Sequence, residues 1–108
     1  MLTPSVLANC GARLDVFGAP PGFDALVLAD LATTLARPLL FIARDDVRLS
    51  AMQENLGFFA PEVESLAYPA WDCLPYDRVS PNPEIVSRRI DTLCRLLAPP
   101  SKERARVV

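Results

Sequence analysis

The chain has 108 residues, 51% hydrophobic and 22% charged, with a formal net charge of −2 and no histidine. This length holds one domain at most. The charge offers no basic field for nucleic acid, and the missing histidine excludes His-based triads, His–metal sites and a His general base.

The opening segment, "MLTPSVLANCGARLD", has no basic leader and no sustained apolar core, so it does not read as a secretory signal. Residues 14–17, "LDVF", form a short apolar run that predicts a strand ending at Gly18. Gly22 to Ala36 then reads as a helix with Leu26, Val27, Leu28, Leu31 and Leu35 at its apolar positions, and an element this apolar is expected to be largely buried. Pro38 stops it, because the residue before a proline is pushed toward extended geometry. The most apolar region, 25–43, is interrupted by Asp30, Arg37 and Pro38 and makes no membrane span. A cytoplasmic protein is therefore expected.

"PLLFIA", 38–43, is an uninterrupted apolar run and predicts the central strand of a parallel sheet. In "RDDVRLSAMQENLGFFA", Asp45 suits an N-cap. Leu49, Met52, Leu56 and Phe59 recur at helical spacing, and Gly57 or Pro61 ends the helix. "EVESLAY", 62–68, predicts a strand with Val63 and Leu66 as core positions. A long loop follows over 69–82. "SPNPEIVSRRIDTLCRLLA", 80–98, then predicts a helix, with Asn82 as cap, Pro83 at the first helical position and Glu84 near the positive end of the dipole. Val86, Ile90, Leu93, Cys94 and Leu97 form one apolar stripe, and Cys94 on it is expected to be a small core residue. Glu84, Arg88, Asp91 and Arg95 form the opposite, charged face. "ARVV" begins a further strand, short against the usual length of about five or six residues. We expect a single partial domain over 1–108, the beginning of a longer protein.

Strands alternating with helices imply right-handed crossovers and a mostly parallel α/β sheet. Three stretches could carry chemistry. The first, "GAPPGFDA", is a strand-to-helix turn of the kind that can hold phosphate on backbone N–H groups. It lacks the Lys and Ser/Thr of a working phosphate loop. Pro20 and Pro21 remove donors, and Asp24 puts negative charge where phosphate would sit. Gly18, Gly22 and Asp24 therefore mark a degenerate loop that binds no cofactor.

The second stretch, 68–89, gathers Trp71, both tyrosines and three arginines. Trp71, Tyr76, Asp77, Arg78, Arg88 and Arg89 are candidates for inter-domain docking or for nucleic-acid contact. The plainer alternative is that Trp71 and Tyr76 fill a gap between loop and sheet while the arginines are solvated. The third, Asp45 and Asp46, reads as capping carboxylates rather than a metal or acid–base pair; Asp72 and Asp77 make no better case. Cys10, Cys73 and Cys94 are odd in number and form no C-x-x-C pair, so no metal site is expected. Ten arginines stand against the single Lys102.

At "PAWDCLPYDRVSPNPEIVSRRIDTLCRL" the chain resembles the N-terminal region of the bacterial transcription-repair coupling factor family (Mfd). The family pattern W-[DE]-x-L-P-Y-D-x-x-S-P, followed by I-x-x-R-I-x-x-L, is matched by Trp71, Leu74, Pro75, Tyr76, Asp77, Ser80, Pro81, Ile85, Arg89, Ile90 and Leu93. The upstream segments fall in the same order at similar spacing. The resemblance implies a three-layer α/β fold of the P-loop NTPase or UvrB-like type (domain 1a), with a degenerate phosphate loop and its last strand incomplete. It implies that this chain is no enzyme. The parent would be an ATP-driven double-stranded-DNA translocase that displaces stalled RNA polymerase and recruits UvrA for nucleotide-excision repair, with ATP and Mg²⁺ held in motor domains elsewhere. Two rival readings are a stand-alone nucleotide-binding domain using the Gly18–Gly22 turn and a small single-strand nucleic-acid binder.

Overall fold

A computed structural model of the chain describes residues 11, 13–35, 37–98 and 106–108. Cys10 lies outside the described residues. Among those described are three helices, α1 (Phe23–Leu35), α2 (Asp46–Phe59) and α3 (Pro83–Leu97), and two short strands, β1 (Glu64–Ser65) and β2 (Arg106–Val107).

Each helix starts where local chemistry lets it. The Phe23 N–H closes a turn on the Pro20 carbonyl at 3.1 Å, and the Leu26 N–H makes the first bond of α1 to Gly22 at 3.2 Å. Asp45 caps α2 by accepting the Arg48 N–H at 2.8 Å. Asn82 caps α3 through the Glu84 N–H at 2.9 Å, with Pro83 in the first turn. Helix α2 continues through Gly57 and closes with the Ala60 N–H on the Leu56 carbonyl at 2.8 Å, just ahead of Pro61.

The sheet is parallel. β1 pairs with β2, Glu64 opposite Arg106 and Ser65 opposite Val107. On its other side β2 pairs with 39–41. The Leu39 N–H donates to the Arg106 carbonyl (2.9 Å), the Val108 N–H to Leu39 (2.9 Å) and the Phe41 N–H to Val108 (2.8 Å). Among the described residues, 106–108 therefore lie in the middle, and the predicted central strand 38–43 lies beside them. A continuous apolar run identifies two apolar faces but not which neighbour is paired on each side.

The core forms where α1 and α2 meet one face of this sheet. Ala25, Ala29 and Ala32 of α1 pack with Met52 and Leu56 of α2 and with Ala60, Val63 and Val107; Leu39 and Phe41 complete it. The face that α1 buries is thus its alanine row at i, i+4 and i+7, and Leu26 is exposed. Small side chains let the two helix backbones approach, so the larger leucines flank the contact instead of forming it. Val63 and Leu66 are buried, as their positions in "EVESLAY" predict.

Alternation along the sheet turns Arg106 and Val108 to the opposite face, toward α3. There the Arg106 guanidinium bonds Glu64 at 2.9 Å and the Arg95 carbonyl at 3.0 Å. Arg95 in turn pairs with Asp91 at 3.0 Å and Glu64 at 3.6 Å. Thr92, the buried residue of α3, donates its hydroxyl to the Ala67 carbonyl.

Two expectations fail here. Residues 14–17 form no strand, and Leu14, Val16 and Phe17 are exposed. Cys94 on the stripe of α3 is not core but exposed, and Ile90, Leu93 and Leu97 of the same stripe are 55%, 47% and 87% exposed. The helix is held instead through Thr92, Arg89 and Arg95, which are polar anchors on its other side. Replacing Leu56 with Ala should cost about 2–5 kcal/mol, because it empties the α1–α2 core. Ile42→Ser, on the open face, should change the isolated chain by less than about 0.5 kcal/mol. Urea unfolding of both variants checks which side of the sheet is the core.

Candidate functional site: the loop before α3 and the open sheet face

The turn that leads into α1, expected as a degenerate phosphate loop, is closed on itself. Gly18 and Gly22 have φ of 70° and 84°, in the left-handed region where a Cβ is costly. At the start of α1 the Phe23 N–H is used by Pro20 and the Ala25 N–H by the Asp24 carboxylate at 3.0 Å. Pro20 and Pro21 have no N–H to give. Asp24 also takes an ion pair from Arg48 of α2. No Lys or Arg lies in the turn or in the helix that follows it, and Arg48 reaches the turn from 24 residues further on. Its target is the chain's own carboxylate.

In the 69–82 segment the candidates separate into two groups. Arg89 is held at the base: its guanidinium carbon lies 3.8 Å from the Tyr68 ring centroid and 4.3 Å from that of Trp71. It donates to the Tyr68 hydroxyl at 2.7 Å and to the Pro69 carbonyl. Such stacking of a guanidinium on aromatic faces contributes about 0.5–2 kcal/mol per contact. Tyr68 is the residue that sequence reasoning missed as a site member; its signal was an aromatic directly preceding Pro69, in the stretch already singled out.

Above this base the loop carries its own bonds. The Leu74 N–H donates to the Asp77 carboxylate at 2.8 Å and the Asp77 N–H to the Leu74 carbonyl at 3.0 Å. The Asn82 N–H donates to both oxygens of Asp72 at 3.2 and 3.3 Å. Tyr76 stands at 97% exposure, so it does not fill a gap between loop and sheet. Arg78 is exposed. Arg88 lies elsewhere, lining a polar cleft of about 200 Å³ with Gln53, Ser65, Asp91 and Arg95.

The sheet face opposite α1 and α2 is open. Leu40 and Ile42 are 72% and 84% exposed. With Tyr68, Leu93, Leu96 and Val108 they line a groove of about 590 Å³, and Asp45, Asp46 and Arg89 also border it. Asp45 sits below its ordinary value of 3.8, chiefly because its carboxylate accepts the Arg48 N–H and then because of Arg44 beside it. Among the described residues no group of three or more Cys, Asp or Glu side chains is placed to hold a metal. No described helix is long and apolar enough to cross a membrane.

Comparison with known proteins gives one consistent result. The chain is 35% identical over 96 residues, 82% of its length, to the transcription-repair-coupling factor of Myxococcus xanthus. It is 34% identical over 73 residues, 67% of its length, to that of Escherichia coli K12, and 44% identical over 58 residues, 54% of its length, to that of Rickettsia bellii. It spans only 8%, 6% and 5% of those three relatives. No family model and no solved structure matches it.

Two measurements follow from this geometry. Arg89→Lys keeps the charge but loses the planar stack. It should shift the emission of Trp71, the one tryptophan in the chain, to the red, and cost about 1–2 kcal/mol. Unchanged emission would mean that the stack does not form. For Asp45, a carboxyl held below 3.8 in the folded chain contributes stability above that pH. That contribution fades as the pH falls through the lower, folded value. An Asp45→Asn variant should therefore match the parent in strong acid and melt earlier than it near neutrality.

Proposed function

Because the chain belongs to the transcription-repair-coupling factor family, we propose that it serves as a non-catalytic, UvrB-like scaffold module in a cytoplasmic repair factor of that kind. The observation that carries this reading is the open apolar surface: Leu40 and Ile42 on the sheet and Ile90, Leu93 and Leu97 on α3 are exposed, and Leu40, Ile42 and Leu93 share one groove. Contiguous apolar surface of this kind is what a covering protein layer fits. The remaining domains of a longer polypeptide are that cover, and the relatives are more than ten times the length of the stretch they share with this chain.

In this reading the chemistry belongs to those other domains. The whole protein is an ATP-dependent translocase on double-stranded DNA that displaces stalled RNA polymerase and recruits UvrA. This module supplies the platform and holds neither ATP nor Mg²⁺. The phosphate-type turn supports that view, since its prolines, its internally used N–H groups and the Asp24–Arg48 pair leave little for a nucleotide. Nucleic-acid binding at 68–89 is disfavoured by Arg89 being committed to the aromatic stack.

Cys94 reports on the cover directly, because it is exposed at the edge of the apolar stripe. In the isolated 108-residue chain it should react with a thiol reagent as an open thiol. Within a polypeptide of the relatives' length that carries this chain, its rate should fall by about tenfold or more. Equal rates would remove the scaffold reading. Calorimetry with ATP and Mg²⁺ on the isolated chain should give no saturable heat; one-site binding near micromolar concentration would contradict it.

A further inference from the structure

The tip of the 71–79 loop is built unlike the sheet face beside it. The open face carries ordinary core residue types, Leu40 and Ile42 among them, left exposed among the described residues. The loop tip is held out in a fixed shape by bonds that involve the backbone on both sides of it. Asp77 and Leu74 close the turn around Pro75 and Tyr76. Asp72 clasps Asn82 and so ties the loop to the cap of α3. Arg89 fixes the start of the loop through Pro69, Tyr68 and Trp71. The result presents Leu74, Tyr76 and Val79 at 71%, 97% and 72% exposure.

A loop that only links a strand to a helix has no need to hold three large apolar side chains in water. Presenting them already ordered lowers the entropic cost of binding, and a tyrosine on a stiff turn is the side-chain type that dominates protein interfaces. Charge narrows the partner. Residues 71–84 carry three carboxylates, Asp72, Asp77 and Glu84, against the one guanidinium of Arg78. That balance repels a phosphate backbone and attracts a basic rim.

We propose that Leu74, Tyr76 and Val79 form a protein-docking tip with Tyr76 as its anchor, and that the partner is an apolar pocket on a protein surface rimmed by Lys or Arg. The tip uses none of the residues that line the open sheet face. It therefore goes beyond the scaffold reading, and either can fail alone.

The test places the photoreactive amino acid p-benzoylphenylalanine at Tyr76 in the complete polypeptide, inside its own cells, with a second sample carrying it at the exposed Glu54 as control. The benzophenone is the probe, and mass spectrometry reads which peptide it joins. The expected result is one dominant protein adduct from position 76 whose joined peptide carries Lys or Arg beside apolar residues. Its yield should fall several-fold when Leu74→Ser is added, with the melting temperature of that variant unchanged in the isolated chain. An adduct to nucleic acid, an adduct to an acidic peptide, or a yield no higher than from position 54 would overturn the proposal. So would a yield that Leu74→Ser leaves unchanged.

Discussion

Everything described in this chain hangs on residues 106–108 being hydrogen-bonded on both sides. Three residues join the 39–41 segment to the 64–66 segment through bonds of 2.8–2.9 Å, including the Leu66 N–H to the Val107 carbonyl. Parallel strands cannot be joined by a tight turn. Each connection must therefore run through a helix, and this places α2 between the first and second of these segments and α3 between the second and the last. Val107 then faces the α1–α2 core, and Arg106 faces α3, where Glu64 and the Arg95 carbonyl neutralise and satisfy it.

The same two-sided pairing explains the imbalance between the faces. One side of the sheet is sealed by an alanine row on α1 and by Met52 and Leu56 on α2. The other side has α3 held at a distance by polar anchors, Thr92 on Ala67 and Arg89 on Pro69. The groove of about 590 Å³ is the space between. A helix whose apolar stripe meets solvent while its polar side is tied down leaves room for a second neighbour, and the proposed scaffold role rests on that orientation.

How much of this could be read from the sequence depends on the range of the interaction. Caps were legible, because Asp45 and Asn82 act on N–H groups two or three residues away. Val63 and Leu66 were legible from alternation. The apolar stripe of α3 was legible as a stripe, but the expectation that its Cys94 is core fails, since periodicity reports which side is apolar and not what covers it. The order of the strands, the reach of Arg48 to Asp24 and the stacking of Arg89 between Tyr68 and Trp71 all join residues 18 or more apart. No local pattern encodes such pairs. The family resemblance, resting on the 71–93 motif, supplied none of these pairs; it supplied the family, and the coupling-factor relatives agree with that.

The proposed scaffold leaves two borders for neighbouring protein to complete, the open apolar face and, beside it, the outer edge of the 39–41 segment. Leu39 and Phe41 bond to residues 106–108, so the backbone groups of Leu40 and Ile42 point to the outer edge, where no described residue pairs with them. Amide hydrogen exchange at Leu40 and Ile42 tests this most directly. Fast exchange is expected in the isolated chain, and slow exchange in a polypeptide of the relatives' length that carries it. Fast exchange at both amides in that longer protein would contradict the scaffold role.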